Sequence, residues 1–396
     1  MRVLEVAPDF PPVVRGGGAQ TFYLLADAWV KLGHQVTVLT SCPKDSIKKF
    51  LTEAYTFDLR PFPLFNPPER YGNLAYHMPM GLNNLRSYRK YIKSIEKDFD
   101  LIVVHGFMET LPLMLLLTLD KDALRKVVLT NHGLSTAEYS PALHSVSRLV
   151  YKYLGKIILS RVSKIVMYSM SVKREFMEFY PSISTDSITL HSSGVDADGF
   201  RNSYNEYSKD VPAGTSGIKV AMEEAFFLAI GRNAQIKGFD ILLKSTSLIS
   251  KDHCHPVLLI AGDRNPYTEQ LEKLANELGL GNQVRFLGRI SEANKISLMV
   301  NCQALVIPSL KEGYGINAIE GRILGIPVIA TETGAHVEIL KDYLHGTLIP
   351  TNNVSALAEA MKKYLSCPKR DRVDLDEEYL SSVDIRLLAK FYLGLA

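Results

Sequence analysis

Short apolar runs rich in β-branched residues recur along the chain, each separated from the next by a longer stretch with apolar positions at helical spacing. The first series is RVLEVA at 2–7, QVTVLT at 35–40, LIVV at 101–104, VVLT at 127–130, KIVMYS at 164–169 and SITL at 187–190. A helix is expected over 19–31, between the first two runs, closed by Gly33. A second series begins with FFLAI at 226–230 and continues through VLLIA, VRFL, ALVIP and PVIA. Strands alternating with helices are the pattern of βαβ units and a parallel sheet, and here the pattern occurs twice. Between the two series, residues 201–224 lose apolar periodicity and gather Ser, Asn, Gly and Pro, a linker composition. The expected architecture is therefore α/β, two doubly wound Rossmann-like domains facing a central cleft. The expected boundaries are 1–205 for the first domain and 206–380 for the second, with a final helix over 381–396. Ligands are expected outside the carboxyl ends of the strands.

Length agrees with two domains, since 396 residues exceed what one hydrophobic core usually serves. The longest apolar run, LPLMLLLTL at 111–119, falls well short of the ~20 residues that cross a bilayer and reads as a buried helix. The first residues, MRVLEVAPDFPP, meet acid and proline too early for a signal peptide and read as a first strand. Four scattered cysteines with no C-x-x-C pair fit a reducing compartment, so a cytoplasmic protein is expected.

Charge is nearly balanced at +3 overall, with 23 Lys/Arg against 19 Asp/Glu in residues 1–200 and 22 against 23 in the remainder. The excess sits in RSYRKYIKSIEK at 86–97 and RLVYKYLGKIILSRVSK at 148–164. Such basic, partly apolar helices serve as solvated surface faces or as peripheral contacts with an anionic membrane. The balance excludes the basic stripe that nucleic-acid binding needs, so no nucleic-acid partner is expected.

The chemistry gathers in EGYGINAIE at 312–320, straight after the strand ALVIP. Gly313 and Gly315 permit a tight turn into a helix from about Ile316, placing Glu312 in the loop and Glu320 in the helix. The helix start presents unpaired N–H groups suited to an anion, and the two acids accept hydrogen bonds from hydroxyls. A ligand with both phosphate and hydroxyl groups follows. In GRNAQIKG, Arg232 and Lys237 stand after a strand, where two cations neutralise a departing diphosphate without a metal. RGGGAQTF at 15–22 has the position of a dinucleotide fingerprint but carries Thr21 in place of its last glycine, and no acid closes the second strand. What remains is a glycine loop, Gly17 and Gly18 especially, that lets a ligand approach the backbone.

The E-x7-E spacing, followed by GIPVIATETGA, resembles the donor-binding signature of retaining GT-B glycosyltransferases, the family 4-like or group 1 enzymes. Other landmarks are similar in order: PPVVRGGGAQ, GHQVTVLT, TNHG at 130–133, SSGVD at 192–196, AIGRNAQIKGFD, VRFLGRI and PSLKEGYG. The resemblance implies hexosyl transfer from a nucleotide diphosphate sugar to a glycan, lipid-linked or small-molecule acceptor held by the first domain, in glycan biosynthesis. It further implies a catalytic group of Glu312, His132, Lys237 and Arg232. Donor contacts would come from Gly17, Gly18, Ile290, Tyr314, Gly315, Ile316, Asn317 and Glu320, with Ile290 at the base and Glu320 at the ribose. It implies no metal and no cofactor beyond the donor, expected to be a UDP- or GDP-sugar, and a final helix that crosses back to the first domain. His105 in VVHG occupies a strand-end position like that of His132 and is not assigned a functional contact. Two departures, Ser193 before Gly-Val-Asp and Gly262-Asp263-Arg264-Asn265-Pro266 in place of Gly-Asp-Gly-Pro, leave the donor open. The alternatives to transfer are a nucleotide-sugar epimerase or phosphorylase and an inactive nucleotide-sugar-binding protein on the same fold.

Overall fold

The computed structural model describes residues 1–12, 17–43, 47–52, 54–64, 82–107, 109–131, 152–207, 225–250, 256–365 and 374–396. The chain forms two compact units, Met1–Val195 together with Val383–Ala396, and Asp196–Ser382. The second unit begins at residue 196 because the helix Ala197–Tyr207 packs on the helix Glu292–Asn301. The change in composition that sets the expected boundary at 205 begins at 201, inside that helix.

In the first unit, strands β1 (Arg2–Ala7), β2 (Gln35–Pro43), β3 (Asp58–Leu64), β4 (Leu101–His105), β5 (Val127–Asn131), β6 (Lys164–Met167) and β7 (Ile188–Leu190) form one parallel sheet in the order β3-β2-β1-β4-β5-β6-β7. Strand β3 was not legible in the sequence because it carries Pro61 and Pro63. Proline removes a ladder donor, and the strand escapes that cost by lying at the sheet edge. The central strands β4 and β5 are buried along their whole length, which is why they read as unbroken apolar runs. The apolar stretch near 111–119 is the helix Thr110–Thr118, with Leu111, Leu115 and Leu116 in the core. The last helix, Ile385–Gly394, belongs to this unit and packs on the helix Gly17–Lys31. There the buried indole of Trp29 donates to the Ala389 carbonyl at 3.0 Å, and its ring meets Tyr392 edge-on. A parallel bridge between Val195 and Asp384 helps hold the segment.

In the second unit, β8 (Phe226–Ile230), β9 (Val257–Ala261), β10 (Val284–Gly288), β11 (Ala304–Ile307), β12 (Val328–Thr331) and β13 (Gly346–Ile349) form a parallel sheet in the order β10-β9-β8-β11-β12-β13. The short edge strand β13 is a strand that the pattern of apolar runs did not reveal. The order reverses between β8 and β11, so the chain leaves these two neighbours in opposite directions and opens a crevice beyond their carboxyl ends. The segments that follow β8 and β11 carry Lys237 and Glu312. Among the described residues, no helix is long and apolar enough to cross a membrane.

Candidate active site

Strand β8 runs into Gly231, Arg232 and Asn233, then into a single 3-10 turn over Gln235–Lys237. Asn233 is buried, and its amide donates to the Asp263 carbonyl at 3.2 Å and to Thr268 Oγ1 at 2.8 Å, anchoring the loop to the segment after β9. In return, Asn265 caps the helix Pro266–Glu277 and donates to the Asn233 carbonyl at 2.7 Å. The Asn265-Pro266 departure from the family pattern is thus a helix cap with proline in the first turn, where its missing N–H costs nothing. Gly238 turns back with φ +66°, and a side chain there would overlap the Pro308 carbonyl. That close approach sets the Lys237 turn against the end of β11, where the Leu310 amide donates to the Ile236 carbonyl at 2.8 Å.

The two loops meet in one ion pair: Lys237 Nζ lies 2.7 Å from Glu312 Oε2, with the side chains 23% and 15% exposed. Ser309 Oγ donates to the same oxygen at 3.4 Å, and the Gly313 amide to Glu312 Oε1 at 3.2 Å. Gly334, at φ +55°, supports the loop from below, because a side chain there would overlap the Glu312 carbonyl. Burial pushes the Glu312 carboxyl up, but the Lys237 ammonium, the His336 ring and the hydrogen bonds from Lys237 and the Gly313 amide outweigh it and hold the group below the ordinary carboxylate range. His336 is fully buried beside the loop, and its Nδ1 lies 3.0 Å from the Thr331 carbonyl. A carbonyl only accepts, so Nδ1 carries the proton. Burial lowers its pKa against the pull of Glu312.

The helix Ile316–Ile323 begins where the sequence placed it, with Gly315 as its cap. Asn317, expected at the sugar and phosphate, gives one N–H of its amide to the Ile230 carbonyl at 2.7 Å, which pins the helix to the end of β8. Residues 314–316 form the helix entrance, where the first N–H groups lack intrahelical partners. Arg232 and Ile290 follow β8 and β10, both partly buried. One turn deeper in the helix, Glu320 is buried, and Lys295 Nζ lies 2.7 Å from its Oε1. Its Oε2 is buried with no hydrogen-bond partner among the described residues. Neither Lys295 nor His336 was marked in the sequence: a lysine in SEANKISL and a histidine in TGAHVE carry no spacing that betrays a partner distant in the chain.

In the first unit, the helix after β1 starts at Gly17, two residues earlier than expected, so Gly17 and Gly18 form its first turn rather than a loop. Lacking a side chain, both leave N–H groups of a helix start open to an anion. His132 lies outside the described residues. His105 is fully buried, with Nε2 2.8 Å from Glu5 Oε1, Nδ1 2.9 Å from Thr130 Oγ1, and Phe22 stacked on the ring at 4.0 Å. Burial pushes the Glu5 carboxyl well above its usual range. This is a core polar cluster joining β1, β4 and β5, not an open contact group. Among the described residues, no cluster of three or more His, Cys, Asp or Glu is placed to hold a metal ion.

The family profile described as "Glycosyltransferase Family 4" matches residues 15–198, and that of "Glycosyl transferases group 1" matches residues 216–378. Glycogen synthase of Mycobacterium tuberculosis is 23% identical over 380 residues, spanning 93% of this chain and 87% of its own. Sucrose-phosphate synthase from Thermosynechococcus elongatus superposes with a TM-score of 0.75 at 20% identity, covering 100% of this chain and 98% of its own. HepE of Anabaena, in complex with UDP and glucose, superposes with a TM-score of 0.66 at 18% identity, covering 100% and 97%. The superpositions establish the GT-B fold of two Rossmann-like domains. Between them the two profiles span nearly the whole chain, one on each sheet, and the chain belongs to the family 4-like, group 1 glycosyltransferases.

Proposed function

We propose that the protein transfers a hexosyl group from a nucleotide diphosphate sugar, a UDP- or GDP-sugar, to a hydroxyl of a glycan, lipid-linked or small-molecule acceptor, retaining the anomeric configuration and needing no metal. The observation that carries this reading is the Lys237–Glu312 pair at the point where the β8/β11 strand order reverses. A cation there stabilises the charge that develops on a departing diphosphate. The partly exposed carboxylate beside it suits a sugar hydroxyl or the positive charge that grows on the sugar carbon. Arg232, on the same loop, is assigned the second charge on the diphosphate. Glu320, with one oxygen open, is assigned the ribose, Ile290 the base, and His132 the donor sugar. HepE was solved with UDP and glucose bound, which supports this class of donor on this fold.

The reading places the enzyme in a reducing cytoplasm, where the buried thiols of Cys42 and Cys302 stay reduced. Peripheral contact with an anionic membrane is part of it: on the helix after residue 151, Tyr153 and Ile157 are exposed one turn apart beside exposed Lys152 and Lys156. Thermal melts with UDP, GDP and ADP in parallel test the donor site, since a ligand at 100 times its dissociation constant adds about 2.7 kcal/mol to stability. One base should stand out. The anomeric configuration of the product, read by NMR, then separates retention from inversion, and the appearance of an isomerised free nucleotide sugar would favour an epimerase. Three nucleotides without effect at millimolar concentration would overturn the donor site.

A further inference from the structure

Glu320 is the most deeply buried carboxylate among the described residues of the second unit, and its two oxygens are not equivalent. Lys295 reaches it from the helix Glu292–Asn301, with Nζ 2.7 Å from Oε1, while Oε2 is buried and has no partner among the described residues. A buried acceptor left open costs free energy unless a donor arrives. Lys295 is itself mostly covered, and it shares its charge with Glu292, 2.7 Å away at the exposed start of the same helix. Lys295 stands five residues beyond Ile290 in the chain.

We propose that Lys295 is a positioning residue for the nucleotide subsite: by holding Oε1 of Glu320, it presents the buried Oε2 to a ribose hydroxyl. This rests on the assignment of Glu320 to the ribose. Lys295 and Glu292 are the charged groups that act on Glu320. Burial raises the Glu320 pKa, Lys295 pulls it back, and Glu292 adds to the rise. Burial likewise opposes the Lys295 charge, but Glu320 and Glu292 outweigh it and raise the lysine above its ordinary value. Removing the lysine leaves an uncompensated buried carboxylate, which answers by taking up a proton. A protonated Glu320 offers a weaker acceptor to the hydroxyl.

The test compares binding of UDP, or of GDP or ADP where that is tighter, with binding of its 2′,3′-dideoxy counterpart between pH 6.5 and 9. The affinity ratio cancels the ionisation of the diphosphate and reports the ribose hydroxyls alone. The parent should show a ratio of about 10- to 150-fold that does not change with pH. Lys295→Met should show a ratio reduced several-fold at pH 6.5 that climbs with pH as Glu320 ionises, and Lys295→Arg should restore the parent profile. If Lys295→Met fails to fold, Lys295→Gln, which keeps a hydrogen-bond donor without the charge, is read in the same way. A variant that weakens both nucleotides equally and leaves the ratio at the parent value would overturn the proposal and reduce Lys295 to a packing role. A parent that binds the nucleotide without distinguishing the dideoxy form would overturn it through Glu320 while leaving the donor class standing. A parent that binds none of the three would overturn both.

Discussion

Lys237→Ala separates the structural from the catalytic role of the pair beside β8 and β11. In the free protein the ammonium sits 2.7 Å from Glu312 Oε2, with both side chains less than a quarter exposed. A hydrogen bond between charged groups contributes ~1.5–3 kcal/mol. Breaking a fully buried pair costs ~3–5 kcal/mol because the surviving charge is left uncompensated. Residual solvent contact at both side chains moves the expectation to the lower range, about 2 kcal/mol, read as a lower melting temperature. Turnover should fall further than this loss explains. A preorganised cation at the leaving group is worth more in the transition state than in the ground state, about 2.7–4 kcal/mol or 10²- to 10³-fold in rate. The double variant Lys237→Met/Glu312→Gln discriminates: it removes both charges, so stability should return towards the parent while turnover stays low. The assay is sugar transfer, or slow donor hydrolysis, at saturating donor on protein shown to be folded. A turnover of Lys237→Ala within threefold of the parent would remove the lysine from the mechanism and with it the metal-free account of leaving-group departure.

Glu320→Ala should mainly weaken nucleotide affinity, by about 10- to 150-fold, whereas Glu312→Gln should mainly lower turnover; equal effects of the two on nucleotide affinity in calorimetry would mean the roles are misassigned. Gly334→Ala forces a side chain into the Glu312 carbonyl at positive φ, so the loop must shift, and a displacement near 1 Å should cost up to ~10²-fold in turnover with the circular dichroism of the fold retained. Unchanged turnover would show that the loop yields freely. Burial raises the Glu5 pKa, so the folded state keeps a proton that the unfolded chain releases near pH 4.3, and this contribution to stability is lost as pH rises from there towards the folded pKa. Glu5→Gln removes the titration, and the urea midpoint of the variant minus that of the parent should become more positive between pH 5 and pH 8; a constant difference would contradict it.

The alternation of apolar runs and helical stretches was enough to read two parallel α/β sheets, because strands buried on both faces must be apolar throughout and each crossover needs a helix. The E-x7-E spacing and its position after ALVIP were equally legible, since turn chemistry and helix entry are local. Other features depended on neighbours remote in the chain. Proline hid β3 until the sheet order put it at an edge. The packing of residues 197–207 against 292–301 assigned that helix to the second unit, which no composition records. Partners divided residues of similar appearance: His105 was drawn into a core cluster with Glu5 and Thr130, Asn317 was committed to the β8 carbonyl, and Lys295 was set against Glu320. A side chain's charge is written in its residue type, but whether that charge is spent within the fold or left for a ligand depends on which strand ends the topology brings side by side.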